Sequence, residues 1–320
     1  MPRPIIIDTD PGIDDALAIM LAAASPEVEI LGLVAVAGNV GIEHTAPNTA
    51  ALADLLGLEC PVGRGASAPL WREATYAPQV HGENGFGGYV LPESKRELEP
   101  GVPLLARLIE ESADPVTVVA IGPLTNIAML MSEYPETARK IERLVIMGGG
   151  ALRDQGNATP TAEFNIFVDP DAGARVFGFG VPITMVGLNA THQALVGAQH
   201  LPDLMASGGP AAQMVAHLLG SYSDDANAET AETGMAQHDS LALAAVLDPS
   251  VITTEHLFVD VENTGRRTTG MTVIDYLGRW GEPNCDVAFG VDVERFRELL
   301  NTRLAGLDAR LLAAAGEDRA

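Results

Sequence analysis

Short β-branched runs alternate along this chain with longer apolar segments rich in alanine and leucine. The first run, Ile5-Ile6-Ile7, loses its apolar character at Asp8, and Ala16–Ala24 follows as an Ala-rich helical segment. Val28–Ala37, Val116–Ile121, Ile141–Met147 and Val181–Val186 read as further buried strands, with Pro61–Gly63 a short one. Between them, Asn48–Leu56, closed by Gly57, and Val102–Ser112 read as helices. Strands alternating with helices predict an α/β fold with a mostly parallel central sheet flanked by helices. Toward the C-terminus, Pro202–Tyr222 reads as helical with a Gly-Gly-Pro break, and Ser223–Thr233 as an acidic, exposed stretch. Gln237-His238-Asp239-Ser240 opens a helix over Leu241–Val246. His256–Val261, Met271–Tyr276 and Val287–Val291 read as strands, with a closing helix from Val293. Arg64–Glu97 and Asn157–Asp171 are expected to be loops. No linker, repeat or low-complexity segment interrupts residues 1–320, so a single domain is expected.

At 320 residues and 47% hydrophobic content, the chain has ample apolar surface for a large core. A formal charge of −24, with only 19 lysines and arginines and no basic run, argues against a nucleic-acid polymer or an anionic membrane as partner. A small neutral substrate remains compatible. Cys60 and Cys285 lie far apart and outside any C-x-x-C pattern, so neither a disulfide framework nor a zinc site is indicated. Apolar runs such as Ile30–Ala37 fall far short of a membrane span, and Met1-Pro2-Arg3-Pro4 leads straight into the first strand. A soluble, cytoplasmic protein without a signal peptide is expected.

Candidate chemistry concentrates where the first strand ends. Asp8, Asp10, Asp14 and Asp15 fall within eight residues around the Pro11-Gly12 turn. In an open α/β sheet, ligands bind at that edge. A lone acid there commonly forms a turn or complements a helix dipole. Four together repel, and each raises its neighbours' pKa unless a cation neutralises them, so a hard divalent metal held by oxygen ligands is the favoured reading. Asp14 and Asp15 leave a helix roughly 100° apart, so one can hold the metal while the other faces what sits on it.

Other polar positions are open to two readings. Asn39 is either a turn former or a group reaching into the cleft. His81, beside the glycines of 82–88, is either solvated or carried on a lid over the cleft. The Gly122-Pro123 turn exposes carbonyls suited to a hard metal, and Gly148-Gly149-Gly150 lets a ligand approach the backbone. Asn157, Glu163, Asn165 and Asp169 form a second polar concentration of a kind that suits sugar hydroxyls. Asp239 is either a helix cap or, with His238, part of an acid and metal-ligand pair.

Asp8-Thr9-Asp10-Pro11-Gly12-Ile13-Asp14-Asp15-Ala16 resembles the amino-terminal signature of the inosine-uridine preferring nucleoside hydrolase family. Similar landmarks follow in order at Gly38-Asn39, His81-Gly82-Glu83, Gly122–Asn126, Met147–Gly150, Gly156–Thr159, Ala162–Asn165, Thr191–Leu195 and His238-Asp239. The resemblance implies a Rossmann-like nucleoside hydrolase fold and hydrolysis of the N-glycosidic bond of ribonucleosides to ribose and free base. It also implies a tightly bound Ca2+ and a homodimer or homotetramer. Asp10, Asp15, Asp239 and the main-chain oxygen of Ile121 would ligate the metal, and Asp14 would be the general base on the attacking water. Asn39, Asn157, Glu163 and Asn165 would hold the ribose hydroxyls, with Met147 against the sugar. His81 and His238 would face the base, His238 as the candidate acid.

Two departures bear on base preference. Relatives that take purines as well as pyrimidines often carry tyrosines before the His-Asp pair, whereas residues 224–237 contain none and Tyr222 is the nearest. Ser240 replaces a common proline. The His-Asp pair resembles the inosine-uridine or cytidine-uridine branch, so inosine/uridine or pyrimidine ribonucleosides are the expected substrates. Two rivals are a haloacid-dehalogenase-type phosphohydrolase, suggested by the D-x-D of Asp8-Thr9-Asp10, and a catalytically silent, calcium-containing nucleoside-binding protein.

Overall fold

The computed structural model describes residues 2–223 and 234–317; most of the acidic stretch read as exposed, 224–233, lies outside the described residues. Among the described residues, twelve strands run in chain order as β1 (Arg3–Thr9), β2 (Val28–Ala35), β3 (Val62–Arg64), β4 (Glu99–Pro100), β5 (Val116–Ala120), β6 (Ile141–Met147), β7 (Ile183–Val186), β8 (Leu195–Val196), β9 (Met235–Ala236), β10 (Ile252–Glu262), β11 (Met271–Asp275) and β12 (Cys285–Val291). Ten of them form one sheet in the order β11-β10-β12-β7-β6-β5-β1-β2-β3-β4. From β12 to β4 all neighbours are parallel; β10 runs antiparallel to both β12 and β11. The mostly parallel α/β architecture read from the alternation is therefore observed.

The apolar runs are continuous because both faces of the sheet are covered. Side chains alternate along a strand, so Ile5 and Ile7 enter one core with the helices Ile13–Ala23, His238–Leu247 and Val293–Glu317. Ile6 enters the other, with the helices Gly101–Glu111, Thr125–Glu133 and Pro170–Phe177. The helix Ile13–Ala23 is buried on every side over Ile13–Ala22, and it packs against the equally buried helix His238–Leu247. Their N-termini both reach the C-terminal edge of the sheet, beside β1 and β5. There the chain switches direction, since β2 to β4 build outward from one side of β1 and β5 to β7 from the other. A crevice opens at such a switch point.

Several elements differ from the reading of the sequence. The second helix spans Ile42–Leu55 and begins before Asn48, because Pro47 sits within its early turns, where its ring removes a single hydrogen bond. Its C-terminus forms the expected glycine cap: Gly57 takes φ +63°, while Gly57 and Leu58 N–H groups bond to the Asp54 and Ala53 carbonyls. Asn157–Asp171 is not wholly a loop. Phe164–Val168 and Pro170–Phe177 are helices, nucleated by the side chains of Glu163 and Asp169, which accept the first free N–H groups. Within Arg64–Glu97, Pro78–His81 forms a helical turn. The helical segment Pro202–Tyr222 breaks at Gly208 and Gly209 as expected, into Pro202–Ser207 and Pro210–Ser223. Among the described residues, no helix is long and apolar enough to cross a membrane.

Candidate active site

At the switch point lies a cavity of about 440 Å3. Of the residues singled out from the sequence, Asp14, Asn39, His81, Ile121, Met147, Asn157, Glu163, Asn165, His238 and Asp239 all line it. Asp10 and Asp15 are fully buried and bonded to Asn39 of the cavity lining. Most of these side chains arrive from the C-terminal end of a strand or the start of a helix: Asp10 after β1, Asn39 after β2, Ile121 after β5, Met147 ending β6, and Asp14, Asp15 and Asp239 in the first turns of the two central helices.

Oxygens of Asp14, Asp15 and Asp239 lie within 4.8 Å of one another. The expectation that Asp14 and Asp15 diverge is thus only half met. Asp15 folds back over its own helix terminus, accepting from Gly12 N–H at 2.8 Å and from Thr9 Oγ1 at 2.6 Å, and this brings it into the same cluster. Asp10 joins through its neighbours. Its main-chain N–H donates to Asp15 Oδ1 at 3.2 Å, and Asn39 Nδ2 spans the Asp10 carbonyl and Asp15 Oδ2 at 3.1 and 3.2 Å. Asp10 Oδ2 accepts from Asn39 N–H at 2.7 Å, whereas Asp10 Oδ1 is buried and has no hydrogen-bond partner.

Among the described residues, no lysine or arginine lines the cavity. The electrostatic consequence follows directly. Burial, and then the charge of Asp15, push Asp10 well above the usual carboxylate range. Burial and the surrounding Asp14, Asp15 and Asp10 do the same to Asp239. Asp15 is pushed up to about 6 by burial and by Asp14. Burial also raises Asp14, against the opposing effect of His81. Two helix N-termini offer only partial positive charge here. The unpartnered Asp10 oxygen, the converging carboxylates and the Ile121 carbonyl at the cavity wall make an all-oxygen donor set that fits a hard divalent cation.

The opposite wall is built by the segment after β6. Glu163 caps the helix Phe164–Val168 and accepts from the N–H groups of Gly149, Asn165 and Ile166 at 2.9, 2.9 and 3.2 Å. Burial nevertheless raises it to about 7. Asn165 Nδ2 donates to the carbonyls of Ile121 and Met147, both at 3.1 Å, joining the ends of β5 and β6. Asn157 Oδ1 accepts from Phe164 N–H at the exposed rim.

The two histidines face each other's side of the cavity from different elements. His81 Nδ1 accepts the first helical N–H, that of Ile13, at 3.2 Å. Gly12 makes this approach possible, since a Cβ there would stand 2.4 Å from His81 Nδ1. Burial lowers the His81 pKa, opposed by Asp14. His238 is lowered to about 4, by burial and then by His192. Both rings are therefore neutral near pH 7. Of the two readings left open for Arg64–Glu97, its His81 lines the cavity, and the segment is anchored: Ala77 N–H bonds to the Asn39 carbonyl, and Phe86 is buried.

For four residues already noted in the sequence, Asp8, Asn126, Asp169 and Thr191, the partners emerge only from the fold. Asp8 is the single acid of β1, and Asn126 Nδ2 donates to its Oδ2 at 2.7 Å and to the Ala35 carbonyl at 3.1 Å. Burial lifts Asp8 to about 8, with the Asn126 bond opposing. Asp169 ties Thr125, the Leu70 N–H and the Ala172 N–H together. A carboxylate inside an apolar strand and an amide at a buried helix start are the only sequence signals of such pairing. Thr191 opens the Thr191–Leu195 landmark, but only its contact with His238 shows what it touches.

Known proteins resemble this chain over nearly its whole length. A pyrimidine-specific ribonucleoside hydrolase, RihA, from Salmonella typhimurium is 44% identical over 309 residues, covering 95% of this chain and 99% of that protein. A non-specific ribonucleoside hydrolase, RihC, from Klebsiella pneumoniae is 43% identical over 300 residues, covering 93% and 96%. The structure of a purine-preferring ribonucleoside hydrolase from Gardnerella vaginalis superposes with a TM-score of 0.89 at 33% identity, covering 96% of this chain and 99% of that one. Residues 5–298 match the family described as inosine-uridine preferring nucleoside hydrolase, and the chain belongs to that family.

Proposed function

We propose that the chain hydrolyses the N-glycosidic bond of pyrimidine ribonucleosides, giving ribose and free base, with Ca2+ held by Asp10, Asp15, Asp239 and the Ile121 carbonyl. The observation that carries the reading is the meeting of acidic groups distant in sequence in one cavity whose wall is lined with neutral and acidic hydrogen-bonding groups. An all-oxygen donor set favours calcium over softer transition metals. The RihA similarity supports the pyrimidine preference. Family membership disposes of the phosphohydrolase alternative.

When bound, the cation supplies positive charge that lets the carboxylates ionise together and acidifies the attacking water. Asp14, at the cavity surface beside Asp239, accepts the proton of that water. Asn39, Asn157, Glu163 and Asn165 orient the ribose by its hydroxyls, and Met147 packs against the sugar face. As the C1′–N bond lengthens, positive charge grows on the ribosyl group, and the surrounding carboxylates stabilise it. His81 and His238 face the base, whose departure they assist.

The test is ribose release from uridine, cytidine, inosine, adenosine and guanosine, with chelator and after Ca2+ is restored. Turnover of uridine and cytidine, lost with chelator and recovered with Ca2+, is the expected result. Nucleoside binding without ribose release would overturn the reading.

A further inference from the structure

We propose that Thr191 is a positioning residue for this reaction: its buried hydroxyl donates to His238 Nδ1 and so holds the ring in the tautomer whose Nε2–H faces the departing base. The inference rests on the function proposed above and deepens it.

Thr191 is fully buried, and its Oγ1 lies 2.7 Å from His238 Nδ1. The same oxygen lies 3.5 Å from the Leu188 carbonyl. Two proton assignments are available. If Nδ1 carried the hydrogen and donated to Thr191, the hydroxyl hydrogen would have to satisfy itself on the Leu188 carbonyl. That distance is well beyond the range of about 2.5–3.0 Å for an O–H···O bond, and a buried donor left without an acceptor is costly. If the hydroxyl donates to Nδ1, one bond of ordinary length satisfies both groups. The second assignment wins. With Nδ1 occupied, Nε2 is the ring nitrogen left for a ligand, and His238 lines the cavity.

The surroundings keep the pair together. The β8–β9 ladder and the Gln237 N–H bond to the Ala194 carbonyl at 3.0 Å set the approach to His238 directly beside the helical turn Leu188–Thr191. The His192 ring meets the His238 ring edge-on at 5.9 Å, and Asp154 holds His192 Nδ1 at 3.1 Å. His81 follows the same logic independently, because its Nδ1 accepts the Ile13 N–H and leaves its Nε2 as the donor. Both imidazoles thus offer an N–H to the base.

The step balances without a proton leaving His238. The water oxygen bonds to C1′ and its proton passes to Asp14; the C1′–N bond breaks and its electron pair departs with the base. The Nε2–H remains on the ring and hydrogen-bonds the negative charge that develops on the base and its neighbouring carbonyl oxygen. The free base takes a proton from solvent after release. The opposite tautomer would aim a lone pair at that charge.

Two readouts test this. Nitrogen spectra of 15N-histidine protein, assigned with H238Q, report which ring nitrogen of His238 is protonated. Kinetics of T191V and T191S are compared on uridine and on 4-nitrophenyl riboside, whose nitrophenolate leaves as a stable anion. Nδ1 is expected unprotonated and Nε2 protonated in the unaltered protein and in T191S. T191V should lower kcat on uridine about 10- to 100-fold with KM within about twofold, and change turnover of the nitrophenyl riboside less than about threefold. T191S should recover most of the uridine rate. Protonated Nδ1 in the unaltered protein, an undiminished uridine rate in T191V, or equal losses on both substrates would overturn the inference. If no nucleoside releases ribose, the proposed function fails instead, while the nitrogen spectrum still decides the tautomer.

Discussion

Gly38→Ala perturbs the proposed cation site without removing any functional group. A Cβ at residue 38 would stand 2.1 Å from Asp10 Oδ2 and 2.7 and 2.8 Å from the Pro123 ring carbons. The ring is rigid, so the Asp10 carboxylate is the group that must yield. It cannot move far without losing the bond from Asn39 N–H, now 2.7 Å. A hydrogen bond to a charged group contributes about 1.5–3 kcal/mol. At about 1.4 kcal/mol per tenfold, Ca2+ affinity should fall by roughly 10- to 100-fold. The assay is calorimetric titration of chelator-stripped protein with Ca2+, with circular dichroism to confirm the fold. Gly57→Ala is the control: its φ of +63° makes it strained, but nothing lies within 4 Å of the added carbon. It should cost about 1 kcal/mol of stability and leave Ca2+ affinity unchanged. Equal affinity in G38A and the unaltered chain would refute the placement of Asp10 at the cation.

Three further outcomes follow from the same geometry. Asp14→Asn should lower kcat on uridine by about 10²- to 10⁴-fold while Ca2+ binding persists, and normal turnover would remove Asp14 as the base. Asn126→Ala leaves the Asp8 carboxyl and the Ala66 N–H unpaired, so urea melts should show a loss of about 2–5 kcal/mol; a loss below about 1 kcal/mol would contradict the pairing. The stripped protein should also lose stability as pH rises. Asp15 and Glu163 have folded pKa values raised to about 6 and 7, so between the ordinary carboxylate range and those values the folded chain binds more protons than the unfolded one. Their neutral forms are fully present below that window, and the melting temperature should fall from pH 5 to pH 8. Ca2+ should reverse the trend, and a flat profile without Ca2+ would count against the uncompensated charge.

Much of this arrangement is legible in the sequence. The Ile5–Ile7 run announced a strand buried on both faces, because each face of the sheet demands apolar side chains. Four acids at its end marked the ligand edge, since no other local arrangement of so many anions is stable without compensation. What could not be read was set by tertiary contact. The convergence of Asp14 with Asp15 depends on Asp15 turning back to Gly12 and Thr9. The helix Phe164–Val168 is too short to show a period, and it exists because Glu163 accepts its N-terminal N–H groups. Asn126 and Thr191 lie far in sequence from the groups they serve, so only the packed fold pairs them.

The measurement closest to the central claim is the calcium stoichiometry of the stripped protein alongside its uridine turnover. A single Ca2+ per chain, bound together with the return of ribose release and lost in D10A, is the predicted result. Full turnover with no bound metal, or Ca2+ binding undisturbed by removal of the Asp10 carboxylate, would contradict it.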